Sequence, residues 1–244
     1  MDRFNSPITL LLRGYWHEAL MFMLLFTPAI IVALSFHEAA HGWMANKLGD
    51  PTAKAMGRIT LNPAKHLDPI GTLMMFFIGI GFAKPVPVNH FNFKNPRKGM
   101  ALVALAGPVS NLLLSAVGLI MYWVTGAIFL RTGLIGALET ENVIGNIPQA
   151  TLTLLFVFAA INAMLAFFNL MPVPPLDGSR VAFMGLSHEN QFKLRQHERT
   201  IWLVFMVGMV FFPNIVLWPV HTLTNLFLLG VSTPIVMLLN FLGF

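Results

Sequence analysis

The chain has 244 residues, 56% of them hydrophobic and only 10% charged, with a mean hydropathy of +0.72. Such a sequence is too apolar and too poor in charge for an ordinary soluble domain, which predicts a polytopic, all-α membrane protein in contact with a lipid bilayer. The formal net charge of +5 would suggest a nucleic-acid partner in a soluble protein, but in a membrane protein loop Lys and Arg mark the cytoplasmic face, so no nucleic acid is expected.

Residues 1–18 mix Arg3, Arg13, His17 and Glu18 with a short apolar stretch, Ile8 to Leu12, and read as an interfacial arm. The first spanning helix is expected from Ala19 to Asn46, with Pro28 inside it. It leads straight into His37 without a small-residue cleavage site, so it reads as a retained span and not as a signal peptide. Residues 47–69 are polar, basic and broken by Gly49, Pro51, Gly57, Pro63 and Pro69, which predicts turns and a short strand around Arg58 to Leu61. Ile70 to Ala83 is apolar but short and glycine-rich, favouring a re-entrant piece. Val86, Val88 and His90 then alternate among prolines as in an edge strand.

A second span is expected over Gly99 to Leu130, where Gly107, Asn111, Ser115 and Gly118 form a small and polar stripe that lets helices approach closely. A third, Ala150 to Met171, runs into three prolines in Pro172-Val173-Pro174-Pro175-Leu176-Asp177-Gly178, which must stop the helix near membrane depth. Residues 179–200 are polar, and 201–219 and 222–243 are read as two further crossings. The expected architecture is therefore a single domain over 1–244 with about five to six membrane segments, counting the re-entrant piece, and a small β element on the cytoplasmic side. If Ile70 to Ala83 is re-entrant, stretches 47–69, 84–98 and 179–200 share one face and hold 12 of the 15 Lys and Arg residues, which makes that face cytoplasmic.

The chemistry is concentrated in His37-Glu38-Ala39-Ala40-His41, an H-E-x-x-H motif at one end of the first span. On a helix the i, i+4 spacing puts both imidazoles on one face, so they can hold one Zn2+ while Glu38 acts on a water. Glu38 lies nine residues before Lys47, roughly 14 Å along a helix, which places the site below the membrane surface but near one face. The chain contains no cysteine, so a third ligand must be His, Asp or Glu. Asp177, a carboxylate at a helix break near membrane depth, is the candidate, whereas solvent exposure or turn formation accounts for His66 and Asp68. An ion pair with Arg180 or simple solvent exposure is the alternative account of Asp177.

These residues resemble the site-2 protease family of intramembrane zinc metalloproteases. The resemblance rests on His37-Glu38-x-x-His41, on Gly107-Pro108-x-x-Asn111, and on the N-x-x-P-x-P-x-L-D-G run from Asn169 to Gly178. It implies that His37, His41 and Asp177 bind one zinc ion per chain, that Glu38 is the general base and acid, and that Asn111 and Asn169 line the site as substrate or oxyanion support. The chain looks like a compact form, without room for a PDZ domain between the motifs or a CBS pair at its end.

The expected function is that of an intramembrane zinc endopeptidase in a prokaryotic cell membrane. It would cleave a transmembrane protein substrate in or near its membrane segment, with the active site towards the cytoplasm. A transporter or ion channel using the intramembrane Glu, Asp and Asn residues is the alternative from another class. Paired interrupted helices would favour transport, and no such symmetry is visible in the sequence. A third reading, a noncatalytic zinc scaffold, leaves Glu38 without a purpose.

Overall fold

A computed structural model describes residues 7–71, 83–134 and 147–243. Its elements are helices: α1 (Pro7–Leu12), α2 (Trp16–Lys47), α3 (Thr52–Ala55), α4 (Pro96–Arg131), α5 (Ile147–Asn169), α6 (Asp177–Ala182), α7 (His188–Gln196), α8 (Glu198–Phe211), α9 (Pro213–Val216) and α10 (Trp218–Phe241). Among the described residues four helices are long and apolar enough to cross a membrane: Ala19–Lys47, Pro96–Arg131, Ile147–Asn169 and Trp218–Phe241. The chain is therefore a multi-pass, mainly helical membrane protein.

Local chemistry sets the ends of these helices. The α2 helix stops in a Schellman turn, in which Gly49 adopts φ +105° and its N–H donates to Asn46 O, while the Asp50 N–H donates to Ala45 O. Pro96 occupies the first turn of α4, and the Asn95 side chain caps it by accepting from the Lys98 N–H. Helix α5 ends at Asn169, because Pro172, Pro174 and Pro175 have no N–H to continue it.

Helices α2, α4 and α5 pack against one another as the central bundle, and α10 lies against α4 and α5. Small residues bring them close. Ala29 and Ala33 of α2 pack on Ile161 of α5. Along the stripe expected on α4, Ser115 donates to Ala159 O at 2.7 Å, and Gly118 faces Phe158 and Ala159 so closely that a Cβ there would lie 2.9 Å from the Phe158 ring.

Two expectations are not confirmed among the described residues. The stretch 201–219 is not one helix and is not among the four candidate spans: α8 ends at Phe211, before Pro213, and its 14 residues rise only about 21 Å against a hydrocarbon core of about 30 Å. The small β element is reduced to one isolated bridge, Leu67 with Ala83, and no longer strand occurs among the described residues. Residues 84–89 run extended with no partner strand among the described residues, and Pro85 and Pro87 remove the donors along one edge. The expected re-entrant piece, Ile70 to Ala83, lies outside the described residues for 72–82.

Side chains hold the extended stretch in place. The His66 carbonyl accepts from the Lys84 N–H at 2.7 Å, and Arg58 donates through Nη2 to Lys84 O at 2.7 Å. The fully buried Asp50 accepts from the Asn89 N–H, Asn92 Nδ2, the Thr52 N–H and the Thr52 hydroxyl. Burial opposes ionisation of Asp50, but these donors outweigh it and hold its carboxyl below the usual range.

Candidate metal centre

His37 and His41 stand one turn apart on α2, 4% and 9% exposed. The expected third ligand meets them from the opposite side of the motif. Asp177 Oδ2 lies 3.1 Å from His37 Nε2 and 3.1 Å from His41 Nε2, and one ligand atom from each residue falls within 4.8 Å of the others. Asp177 opens α6, directly after the proline break. Gly178 makes that position reachable: a Cβ on it would sit 2.0 Å from Leu170 O, so only glycine lets α6 fold back onto the end of α5.

The hydrogen bonds around the rings determine which nitrogen carries a proton. Asn162 Nδ2 donates to Phe158 O, which turns Asn162 Oδ1 towards Asn111. Asn111 Nδ2 then donates to Asn162 Oδ1 and to Ala33 O, both at 3.0 Å, leaving Asn111 Oδ1 to accept from His37 Nδ1 at 2.7 Å. His41 Nδ1 donates to Val103 O, also at 2.7 Å. Backbone carbonyls anchor both chains of bonds, so neither can be reversed.

With their Nδ1 atoms protonated, neutral imidazoles turn bare Nε2 lone pairs towards a carboxylate oxygen. Three acceptors facing one another require a cation between them. Two imidazole nitrogens, one carboxylate and no thiolate are a donor set suited to zinc. The residues present therefore fit the ion.

Gly107 of α4 gives the imidazoles room. A Cβ there would lie 2.5 Å from His41 Nε2 and 2.6 Å from His37 Cε1. Glu38 is 8% exposed, and its Oε2 accepts from the Val86 N–H at 2.9 Å, so the extended stretch is tied to the carboxylate beside the metal ligands.

The remaining candidates fall as follows. Asn111 is fully buried, with both amide hydrogens and its oxygen engaged, which leaves it no donor for a substrate oxyanion in this arrangement. Asn169 donates to Leu165 O of its own helix at 2.9 Å. Asp68 Oδ1 accepts from the N–H groups of Ile70 and Gly71, and His66 Nε2 bonds Thr60 O, so both serve local structure.

Sequence reading did not identify Asn162, the Val103 carbonyl or the Val86 N–H as parts of the site. Asn162 had a signal, being a carboxamide in the middle of an apolar span. The two backbone groups had none.

Comparison with known proteins supplies a family. The sequence model described as peptidase family M50 matches residues 25–213. Among curated proteins, "Putative zinc metalloprotease YwhC" of Bacillus subtilis is 39% identical over 206 residues, covering 84% of this chain and 88% of that one. "Putative zinc metalloprotease Rip2" of Mycolicibacterium smegmatis is 26% identical over 185 residues, covering 74% and 64%. The protein of the same name in Mycobacterium tuberculosis is 28% identical over 193 residues, covering 77% and 67%. No solved structure matches.

Proposed function

The chain belongs to peptidase family M50 and is a multi-pass membrane zinc metalloprotease; from that premise we propose that it cuts a peptide bond in or near a transmembrane segment of another membrane protein. The observation that carries this reading is the convergence of His37, His41 and Asp177, with Glu38 beside them, at the end of two apolar spans. The transporter reading is not favoured, because the family is one of peptidases and the buried carboxamides Asn111 and Asn162 of the spans serve this one cluster.

In this reading His37, His41 and Asp177 would hold the zinc ion. When bound, zinc supplies Lewis-acid polarisation of the scissile carbonyl and makes water a stronger nucleophile. Glu38 takes the proton of the attacking water as the new C–O bond forms, then delivers it to the amine as the C–N bond breaks. The Val86 N–H occupies Oε2 and leaves Oε1 for this transfer. Asn111, backed by Asn162, acts through His37 by fixing its tautomer and ring orientation. Asn169 belongs to the wall of the site, where its helix gives way to the proline turn.

A helical substrate hides its carbonyls in hydrogen bonds and must unwind before attack. The extended stretch 84–89, pinned beside Glu38, is placed to receive the unwound segment by backbone pairing, with carbonyls alone available at Pro85 and Pro87. The ends of α2 and α5 that carry the site adjoin the stretches holding most of the Lys and Arg residues, which supports a site towards the cytoplasmic face of a cell membrane. Purified protein in lipid nanodiscs with transmembrane test substrates gives the test. Cleavage should require zinc, stop with a chelator and return on zinc addition, and Glu38→Gln should be inactive. Cleavage by Glu38→Gln at the parent rate would remove Glu38 from proton transfer.

A further inference from the structure

Behind the proline turn lies a cleft of about 380 Å³ that takes no part in the chemistry above. It opens between the start of α4, the turn at Pro174 and Pro175, the helix α6, and the facing sides of α7 and α8. Arg97, Arg180 and Arg195 line it together with His90, and Glu198 is its only carboxylate. Among the described residues none of these three arginines has an ion-pair partner, Glu198 included. Arg97 is the most telling: its Nη2 is shielded from solvent and has no hydrogen-bond partner. A partly desolvated guanidinium with an unmet donor gains more from an anion against its side chain than a fully hydrated one does.

We propose that this cleft binds a phosphate-bearing ligand, with the phosphate met by Arg97, Arg180 and Arg195 and an apolar portion lying against Met100, Phe183 and Leu194. Three guanidinium groups against one carboxylate leave a surplus of two positive charges, which matches a phosphate monoester carrying about −1.5 to −2 at neutral pH better than a single carboxylate. The volume is that of a small-molecule site. The cleft is held in shape independently of any ligand, since Gln191 of α7 donates to Phe183 O and Leu186 O and fixes that helix over the turn after α6. Two sources of the phosphate share this chemistry: the headgroup of an anionic lipid at the membrane surface, and a soluble phosphate compound.

The full chain in phosphatidylcholine nanodiscs, titrated with inorganic phosphate, tests the soluble source. Native mass spectrometry of protein from discs containing phosphatidic acid tests the lipid source. Either saturable phosphate binding or retention of one phosphatidic acid per chain is expected. Arg97→Gln, and separately the double variant R180Q/R195Q at two exposed positions, should weaken the binding by about tenfold. The control K54Q/K65Q, which removes two loop charges outside the cleft, should change it less than about twofold. Zinc content read in each variant confirms that the chain still folds. Binding of neither probe, or equal weakening by the control pair, would overturn the proposal. Binding of an acidic peptide where both phosphate sources fail would also overturn it, and would assign the cleft to substrate.

Discussion

Gly107→Ala adds one methyl group at the point where α4 passes the two imidazoles. The new Cβ would lie 2.5 Å from His41 Nε2, where ordinary contact begins at 3.4 Å, so ring and helix must separate by 3.4 − 2.5 = 0.9 Å. The first-choice motion is closed, because His41 is tied to Val103 O and His37 to Asn111. In a helix interior Ala is favoured over Gly by about 1 kcal/mol, so a loss would run against the intrinsic preference. A displacement near 1 Å at the ligands should weaken zinc by about 10- to 100-fold, the range for disturbing groups that orient metal ligands. Gly126→Ala is the matched control on the same helix, where a Cβ would meet Leu152 at an ordinary 3.8 Å. Competition against a chromophoric chelator measures both affinities. Zinc affinity of Gly107→Ala within about twofold of Gly126→Ala would refute the geometry drawn around His37 and His41.

Three further outcomes follow from the same structure. Asn111→Ala should lower zinc affinity by about 10-fold or more, Asn162→Ala less, and the double variant little more than Asn111→Ala alone, because Asn162 acts through Asn111. Asp50→Asn should lower the thermal midpoint at pH 7; the folded carboxyl titrates below its ordinary 3.8, so the advantage of the parent chain should be complete above that pH and vanish as pH falls through the lower folded value. Single cysteines at positions 54, 94 and 193 of this cysteine-free chain should react with an impermeant reagent only from the cytoplasmic side, and one at 132 only from the other; labelling of 54 and 94 from opposite faces would sink the assigned orientation.

The metal centre was legible in the sequence because its ligands are marked by chemistry that an apolar span cannot otherwise explain. His37, His41 and Asp177 are polar groups near helix ends in a chain with few of them, and the structure brings all three together although Asp177 lies 136 positions after His41 (177 − 41). The proline run after Asn169 likewise announced the break that delivers Asp177. Contacts made by the backbone were not legible: the Val103 carbonyl and the Val86 N–H carry no side-chain signature, and their roles depend on how α4 and the stretch 84–89 pack on α2. The helix break inside 201–219 was not legible, since apolar composition continues across Pro213 while the helix does not. The alternation of Val86 and Val88 reads as a strand, but among the described residues no partner strand pairs with 84–89, and its Lys84 and Val86 N–H groups go to His66 O and Glu38 instead.

The central claim is that His37, His41 and Asp177 are the zinc ligands and that Glu38 moves protons without holding the metal. Zinc per chain, measured side by side in Asp177→Ala, Glu38→Gln and Asp68→Ala, tests it most directly. Asp177→Ala should lose zinc together with proteolysis, Glu38→Gln should keep about one zinc per chain and lose proteolysis, and Asp68→Ala should keep both. Full zinc in Asp177→Ala, or loss of zinc in Glu38→Gln, would contradict the assignment.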